Sequence, residues 1–538
     1  MKKIISLSIV CVSLMLASCG EDFLNLIPES TLSSDGFYKT QTDMNMATLA
    51  IYQNLRGLYN GNIHRLGEIR SDNTTYSWLS GNPANERQND EFREPYLENN
   101  SYLHNHWNDC YSIIYRANLV LGNLPTATFD TQYEPLRIQY EAEARFLRAL
   151  AYFKLNLVFG GEATNSQLLG VCKVDKVITQ NEAYEMSRAT LEEIYNFIIE
   201  DLTFAQANLP KSYASTDVGR AKRSAAAAML AKVYVHMAGW PLNKGNEYYN
   251  KAIAQIDKFF TEYPEVKLVG SYKDLFDVTK KNSVESLFEI QYLKGAAGEA
   301  TSCNWNGDWA PRNGEPDVIP FSGSSGVNAP TDDMSKAYEP GDPRKYVSMR
   351  NGYRRAATNA WVNVNFVCKY YDTPTTGTNF GNNWIELRLG DIHLLYAEAL
   401  VRTGGDKAKA LSYLNGIRKR ARETTLVKGF PHKEDAEFPA FVALPADGLK
   451  DYQLSDFADD NAFLLAIEKE RRVELAFESH RWFDLLRTGR AKDVMIAQQT
   501  DQWGPFKWED RALLNPIPES AQRSMPGKLI QNKGYVQF

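Results

Sequence analysis

The sequence predicts an all-α, mostly helical protein, in which tetratricopeptide-like helix pairs form a scaffold with long irregular loops and a few short strands. Three observations support this prediction. Long segments repeat apolar residues at the period of an α-helix. Two pairs of these segments carry small residues where their helices would cross. Two further stretches are rich in polar, glycine and aromatic residues, and we expect them to be long loops.

The chain begins with a predicted export signal. Lys2 and Lys3 precede the apolar run IISLSIVCVSLML, which is too short to span a bilayer comfortably. The run ends in LASC, which resembles the lipobox of bacterial lipoproteins and closes at Cys19. We therefore expect a lipoprotein signal peptide over residues 1–18 and a lipid anchor on Cys19. An ordinary signal peptide with a cysteine nearby is the alternative.

Two segments of the first half predict single long helices. YEAEARFLRALAYFKLNLVFG and LEEIYNFIIEDLTFAQANLP each place apolar or small residues along one helix face. In the second segment, Pro210 supplies the stop. The residues of the two stripes are Ala144, Leu147, Ala151, Leu155 and Val158, and Ile194, Ile198, Leu202 and Ala205.

Two helix pairs carry the repeat pattern. AAAAMLAKVYVHMAGW is followed by EYYNKAIAQIDKFFTEYP, with Ala231 and Ala252 at the predicted crossing and Pro264 at the end. LLYAEALVRTGGDKAKALSYLNGIRKRA is a cleaner copy, with Ala397 and Ala410 at the crossing. Small residues are needed there because the two helices approach closely. A plain helical hairpin would look similar.

The two predicted loop regions run from about residue 61 to 106 and from about residue 295 to 383. Loops of this length are usually functional or disordered. Their tryptophans and tyrosines argue against disorder, so we expect ordered loops that carry function.

Composition and charge exclude some classes of partner. The formal net charge of the 538 residues is −6, and it becomes −8 when Lys2 and Lys3 leave with the signal. Such a surface is not suited to nucleic acid, and no further apolar run approaches bilayer length. The four other cysteines of the mature chain form no CxxC pattern, so we expect buried thiols or at most one disulfide. They are Cys110, Cys172, Cys303 and Cys368.

A set of segments in a fixed order, spread over nearly the whole mature chain, resembles one protein family. In the first half they are SCGEDFLNLIPES, LGEIRSDN, AEARFLRALAYFKLNLVFG and GRAKRSAAAAMLAKVYVHMAGW. In the second half they are IELRLGDIHLLYAEAL, EKERRVELAFESHRWFDLLRTGR, LNPIPESA and IQNKGY. Together they are similar to the SusD/RagB family of Bacteroidetes outer-membrane nutrient-binding lipoproteins.

This resemblance implies a SusD-like fold, with helix pairs in an N-terminal region at 19–275 and a C-terminal region at 276–538 on the same scaffold. It also implies a non-catalytic, lipid-anchored protein of the outer membrane that faces the cell exterior and captures a glycan. Its partner would be a SusC-like TonB-dependent transporter, on which it acts as a lid. Glu21 and Asp22, close behind Cys19, resemble the acidic surface-export signal of such lipoproteins.

Two alternatives to glycan binding remain open. A peptide-binding member of the same family would keep the fold and the location, whereas a helical glycoside hydrolase or lyase would add catalysis. Sugars lie on exposed aromatic rings and meet amides and carboxylates at their edges, whereas peptides are often bound by backbone pairing. The aromatic and asparagine-rich loops of this chain favour a sugar.

The common catalytic and metal-binding motifs are absent from the sequence. It contains no GxxxxGK[ST], GxSxG or HExxH, and we expect no cofactor. His104 and His106 lack a third ligand at a suitable spacing. Surface histidines in a loop are therefore favoured over a metal site.

Glu470, Glu474 and Glu478 are the strongest catalytic candidates. At i, i+4 spacing they would share a helix face, with neighbours about 6 Å apart along the axis, a separation that glycosidases use. Residues on one face point the same way, however, and cannot flank a scissile bond. Arg471 lies one turn from Glu474, and Arg481 lies one turn from Glu478, so we expect these arginines to pair with the glutamates. A salt-bridged helix that fastens the C-terminal segment to the scaffold is therefore the better interpretation.

The predicted ligand site combines residues of both loop regions. They are Asp72, Asn73, Tyr76, Trp78 and Tyr96, together with Tyr292, Trp305 and Trp309. The resemblance implies that sugar sites draw aromatics and an early acidic residue from these regions, which gives Asp72, Trp305 and Trp309 the strongest claim. We expect Trp305 or Trp309 to be partly exposed in a shallow cleft near the Asp72 loop. The alternative is that each tryptophan packs within its own loop.

Overall fold

The computed structural model describes most of the chain after the predicted signal peptide. The described residues are 36–61, 63–76, 96–164, 167–295, 301–311, 326–354, 358, 360–372, 379–426, 448–498 and 508–538. The signal peptide and Cys19 lie outside these ranges. Among the described helices, none combines the length and apolar character needed to cross a membrane.

Long helices that pack on their neighbours dominate the first half. They are α1 (Gln41–Gly61), α2 (Ser101–Asn123), α3 (Pro135–Phe159), α5 (Leu191–Asn208), α6 (Arg223–Ala238) and α7 (Asn246–Glu262), and the five-residue α4 (Gln180–Tyr184) comes between α3 and α5 in the chain. α1 packs on α2, α2 on α3, and α3 on α5, and the row continues through α6 to α7. This row is the scaffold of the molecule.

The second half contains one more long pair among shorter helices. They are α8 (Trp305–Trp309), α9 (Asp332–Ala337), α10 (Pro343–Ser348), α11 (Leu389–Arg402), α12 (Lys407–Arg422), α13 (Asp460–Glu474), α14 (Arg481–Arg487), α15 (Ala491–Ala497) and α16 (Glu519–Ser524). α11 packs on α12, on α13 and on α7. The contact with α7 joins this half to the scaffold. A π-helix also spans Arg65–Ile69.

The strands are short and pair in small antiparallel sheets. They are β1 (Thr74–Thr75), β2 (Glu162–Thr164), β3 (Gln167–Cys172), β4 (Arg188–Thr190), β5 (Ser286–Ile290), β6 (Ala329–Pro330), β7 (Met349–Arg354), β8 (Trp361–Val367) and β9 (Trp384–Arg388). β3 pairs with β2 and β4, β5 with β9, and β7 with β8. β1 pairs with β6, which brings the two predicted loop regions together.

The predicted helical fold is confirmed, and its local signals act as expected. α3 and α5 contain the two predicted stripes, whose residues are buried. At the start of α5, Thr190 and Glu193 form a reciprocal capping box, which satisfies two backbone amides. The helix ends before Pro210, which cannot continue it.

The two predicted helix pairs are α6–α7 and α11–α12. Their crossing residues Ala231, Ala252, Ala397 and Ala410 are fully buried. A larger side chain at these positions would push the helices apart, because protein interiors are close-packed.

The predicted loop regions hold more regular structure than expected. The first contains the π-helix and the start of α2, and the second contains α8 to α10 and the β7–β8 hairpin. The stretch WVNVNFV in β8 alternates apolar and polar residues, which is a strand signal. The other short elements in these polar surroundings carry too few apolar residues to show a clear helical or strand period, which is why the sequence predicts loops there.

One buried apolar cluster draws on both halves of the chain, from Met44 in α1 to Leu529 near the C-terminus. The four described cysteines are all buried and free, in agreement with the expectation of buried thiols. Tight burial of this kind makes a thiol inert rather than reactive.

Candidate ligand-binding face

Asp72 lies in a buried turn between the π-helix and β1, where it anchors the C-terminal helices. Its Oδ1 and Oδ2 accept hydrogen bonds from Nε and Nη2 of Arg481 at 2.8 and 2.9 Å. Nη2 of Arg472 lies 3.1 Å from Oδ2. Burial alone would raise the pKa of Asp72, but the two guanidinium charges outweigh burial and lower the pKa to about 2. The carboxylate is therefore ionised and already occupied.

Asn73 is also buried, and its polar groups are used within the protein. Its Nδ2 donates to Oε1 of Glu68 at 2.7 Å, and its Oδ1 accepts from Nε of Arg472 at 2.8 Å. Its carbonyl accepts from the backbone amide of Thr331 at 2.9 Å. Asn73 thus fastens the first loop region to the start of α9.

Glu68 holds the turn that follows α13. The backbone amides of Phe477 and Ser479 donate to its carboxylate at 2.9 and 3.0 Å. Both residues have a positive φ, of 66° and 62°, so the turn depends on such external support. A Cβ at Gly67 would lie 2.4 Å from the Ser479 carbonyl oxygen, which explains the glycine beside Glu68. Burial raises the pKa of Glu68 to about 7, although these donors oppose the shift.

Trp305 and Trp309 are 0% and 2% exposed, so the prediction that one of them would be partly exposed is wrong. They lie four residues apart on α8, which turns both rings toward the interior. The Trp305 ring meets Tyr292 and Trp384 at 5.0 and 5.6 Å between centroids. Trp309 packs on Tyr370, and it borders a crevice of only about 10 Å³, which suits about one water molecule. A buried ring cannot lie against a sugar.

Tyr76, Tyr96 and Tyr292 are buried as well, and each hydroxyl is hydrogen-bonded inside the protein. Tyr96 donates to the backbone carbonyl of Arg65 at 3.0 Å, and Nη1 of Arg65 donates to the Tyr76 hydroxyl. Tyr292 donates to a carbonyl of α1 at 2.9 Å. These tyrosines therefore support the loops from within. Trp78 lies outside the described residues.

The three candidate catalytic glutamates belong to a buried charged core. Glu470 and Glu474 share α13, but this helix ends at Glu474, and Glu478 lies in the following turn. The prediction that all three share one helix face is therefore wrong. Glu470 lies 2.6 Å from Nη1 of Arg344, and Glu478 lies 2.5 Å from Nζ of Lys369.

Glu474 is the centre of this charged core. Its carboxylate pairs with Arg420, with Nη1 of Arg388 at 2.6 Å and with Nη1 of Arg344 at 3.1 Å. Burial would raise its pKa, but these three guanidinium groups outweigh burial and hold the pKa well below its usual range. The interpretation as a salt-bridged structural helix is confirmed.

The partners predicted for the neighbouring arginines are wrong. Arg471 does not pair with Glu474 but with Asp391 of α11 at 2.8 Å and with Asp484 of α14 at 3.0 Å. Arg481 pairs with Asp72 instead of Glu478. Spacing along one helix identified the charges, but the buried partners come from other elements that the spacing cannot reveal.

The two histidines considered for metal binding have separate roles. His106 is fully buried in α2 against Phe159, which corrects its assignment as a surface residue. Nδ1 of His104 lies 2.5 Å from the Ser520 hydroxyl. Among the described residues, no group of three or more potential ligand side chains is arranged to hold a metal ion.

An open cleft of about 620 Å³ lies beside the Asp72 turn. α9, the turn at 338–342, α10 and the β7–β8 hairpin surround it, and its lining is mostly polar. The Thr331 hydroxyl, at the start of α9, donates to the Asp72 carbonyl at 2.8 Å. Sequence reasoning missed Asp332, Asn351 and Asn365 of this lining, although the alternation in β8 could have placed Asn365 on a strand face.

Two family models match this chain. The one described as "Starch-binding associating with outer membrane" matches residues 22–235, and the one described as "SusD family" matches residues 336–535. The two matches do not overlap, and together they cover most of the chain.

Individual proteins match over nearly their whole length. The chain is 24% identical over 535 residues to SusD-like protein P25 from Formosa agariphila, which covers 91% of this chain and 90% of that protein. A SusD superfamily protein from Parabacteroides distasonis has a similar structure, with a TM-score of 0.73 and 24% identity over 94% of this chain and 100% of that one. Surface glycan-binding protein A from Bacteroides thetaiotaomicron, solved in complex with laminarihexaose, gives a TM-score of 0.69 at 21% identity, over 92% and 100% of the chains.

Proposed function

Because the chain belongs to the SusD/RagB family, we propose that it is a glycan-binding lipoprotein of the outer membrane that faces the cell exterior. Cys19 carries the lipid anchor in this proposal. The protein captures an oligosaccharide or polysaccharide and delivers it intact to a SusC-like TonB-dependent transporter.

The observation that carries this proposal is the match of two family models to separate halves of the chain. The description of the first names both starch binding and the outer membrane. The neighbour solved with laminarihexaose supports a glycan as the class of ligand. The polar cleft beside the Asp72 turn offers amides and carboxylates of the kind that catch hydroxyl groups.

The proposal of binding without turnover is supported by the charged core. A general acid must give its proton to the substrate, and its pKa must lie near the working pH. Glu474 has a strongly lowered pKa and is held by three arginines. Glu470 and Glu478 are buried in ion pairs of their own. The strongest catalytic candidates of the sequence therefore have structural roles.

One experiment tests binding and turnover together. We expect the purified protein to be retarded in native gels that contain polysaccharide, and to release no new reducing ends from the same polysaccharide over several days. Laminarin and amylopectin are the first probes. Cleavage that disappears in a Glu or Asp variant would show that the protein is an enzyme, whereas failure to bind any polysaccharide would contradict the glycan ligand.

A second experiment tests the anchor. Several acyl chains together make a lipid anchor stable, and alanine has no thiol to carry them. Replacing Cys19 by alanine should therefore release a folded protein from the membrane fraction. Cys11→Ala is the matched control, since Cys11 lies within the apolar run of the signal and should leave the anchor in place. Retention of the Cys19→Ala protein in the membrane would contradict the proposal.

A further inference from the structure

We propose that the cleft between α9, α10 and the β7–β8 hairpin is a saccharide subsite that takes uncharged sugar residues. This inference rests on the proposed glycan-binding function and adds a place and a ligand class to it. The volume of about 620 Å³ lies in the range typical of small-molecule sites.

Two amide side chains supply directional hydrogen bonds in this cleft. Asn351 accepts a hydrogen bond from the Ser335 hydroxyl at 3.4 Å, and Nδ2 of Asn365 donates to Oδ1 of Asp332 at 3.0 Å. Among the described residues, Nδ2 of Asn351 and Oδ1 of Asn365 have no partner. The cleft thus offers a donor and an acceptor, which is what neighbouring sugar hydroxyls require.

The hairpin is shaped to bring these amides to one place. Its register shifts between Arg350 and Gly352, so that Asn351 lies opposite two residues of β8 instead of one. Bulges of this kind re-aim side chains and are common beside functional sites. The shift places Asn351 next to Asn365 at the edge of the cleft.

Two tyrosines add aromatic and hydroxyl groups to the lining. Tyr346 is partly exposed, and a tyrosine ring can pack against the C–H face of a sugar. Tyr338 is 6% exposed, and its hydroxyl interacts with that of Ser348. Both of these hydroxyls are buried, so Tyr338 forms part of the cleft wall, and Tyr346 is the ring that a sugar can reach.

The charges around the cleft do not favour anionic sugars. Its lining holds three carboxylates and two lysines. The arginines behind it are occupied, because Arg344 pairs with Asp342 at 2.7 Å and Arg418 pairs with Glu339 at 3.0 Å. Guanidinium groups are the usual partners of anionic ligands, so none of these is left for one. Asp332 is exposed and has no ion-pair partner among the described residues, but the exposed Lys336 carries the opposite charge, so the lining gives an anion no strong attraction.

A second cavity, of about 550 Å³ beside α1, suits a sugar less well. Met46, Leu49 and Val218 line it, and all three are more than 40% exposed. Polar side chains such as Gln53 and Gln291 also line this cavity, but its surface is mostly apolar and offers the hydroxyl groups of a glycan fewer partners. The polar cleft is therefore the better site.

The test uses affinity gels with two sets of polysaccharides. Laminarin, amylopectin, xyloglucan and galactomannan are uncharged, whereas polygalacturonate and alginate carry carboxylates. We expect at least one uncharged polysaccharide to retard the full-length protein, and the anionic ones to leave its migration unchanged. The double variant Asn351→Ala, Asn365→Ala should bind at least tenfold more weakly at an unchanged melting temperature.

Asn363→Ala is the matched control, because Asn363 lies on the same strand but outside the cleft. It should bind like the unaltered protein. If the double variant also binds normally, the cleft is not the site, although the glycan-binding function would stand. Binding of anionic polysaccharides alone would overturn the ligand class, and binding of none would overturn the proposed function itself.

Discussion

The helix pairs of the scaffold and the charged core around α13 are both buried, but different forces stabilise them. In the scaffold, α6 buries alanine, valine and methionine on nearly all sides against α5 and α7. In the charged core, α13 buries Glu470, Arg471 and Glu474. Apolar contacts add up gradually and have no strict direction. Buried charges are tolerated only when each has its partner.

This difference determines how far the effect of a single substitution spreads through the structure. The crossing residues of a helix pair meet side chains of the neighbouring helix. Glu474, in contrast, is held by Arg344 of α10, Arg388 of β9 and Arg420 of α12. One carboxylate therefore joins three elements that lie far apart in the sequence. We expect single changes in the charged core to cost more than single changes in the scaffold.

The largest expected effect is that of Glu474→Ala. The change leaves three buried guanidinium groups without their central carboxylate, and breaking a buried ion pair typically costs about 3–5 kcal/mol. Urea unfolding should show a loss of this size, or the protein should fail to accumulate. Glu423→Ala is the control, because Glu423 is 55% exposed and lies 3.8 Å from the exposed Lys419. Equal stabilities of the two variants would show that the charged core contributes nothing special.

The scaffold could be predicted from the sequence, whereas the charged core could be predicted only in part. Apolar stripes at helical period, such as the one that includes Leu147 and Leu155, follow from the geometry of a single helix that is buried on one face. Residues close together in the sequence are enough to reveal such a stripe. The pairing of Arg471 with Asp391 depends on how α11 and α13 meet, about 80 residues apart. Charge spacing identified the helix as ion-paired but assigned the wrong partners.

The candidate site was the least predictable part. The sequence predicts that Trp305 or Trp309 is partly exposed, because both lie in a region rich in glycine and asparagine from which the family resemblance implies sugar-binding aromatics. The five-residue helix α8 reverses this, since four-residue spacing sends both rings inward. Asn351 and Asn365 lie side by side only because of the register between β7 and β8. Such tertiary contacts are not encoded in any local pattern.

The second largest effect is expected for Ala410→Leu, a substitution in the scaffold. Ala410 is fully buried where α11 and α12 cross, and extra methylene groups in a close-packed interior cost about 1–3 kcal/mol. Ala408→Leu is a matched control on the same helix, because Ala408 is exposed. It should change the free energy of unfolding by less than about 0.5 kcal/mol. If both variants were equally stable, the tight crossing of this helix pair would be disproved.

A smaller, pH-dependent effect is expected for Asp72→Asn. The ionised carboxylate stabilises the folded state above the unfolded pKa of 3.8, and this contribution is lost as the pH falls through the folded pKa of about 2. It amounts to about 2 kcal/mol at neutral pH, and about half of it should be lost by pH 3.

The measurement compares the free energies of unfolding of the unaltered protein and of the Asp72→Asn variant between pH 7 and pH 3. Their difference should shrink as the pH falls, because the asparagine has no proton to gain. Asp460→Asn, at an exposed position, is the matched control and should lower the free energy of unfolding far less. A constant difference between the unaltered protein and Asp72→Asn would mean that its loss of stability is not electrostatic.

The smallest expected effect concerns helix caps. It tests whether a cap contributes to the free energy of unfolding only when its helix is part of the buried core. Thr190 and Thr179 form the same capping box, with Glu193 and Glu182 respectively. The helix that Thr190 begins, α5, buries Ile194 and other core residues, whereas α4, which Thr179 begins, buries none of its five. Loss of such a cap typically costs about 1 kcal/mol. Thr190→Ala should therefore lower the free energy of global unfolding by about this amount. Thr179→Ala should leave it unchanged, because fraying of an unburied helix does not unfold the core. Equal losses in both variants would show that α4 is coupled to the core despite its exposure.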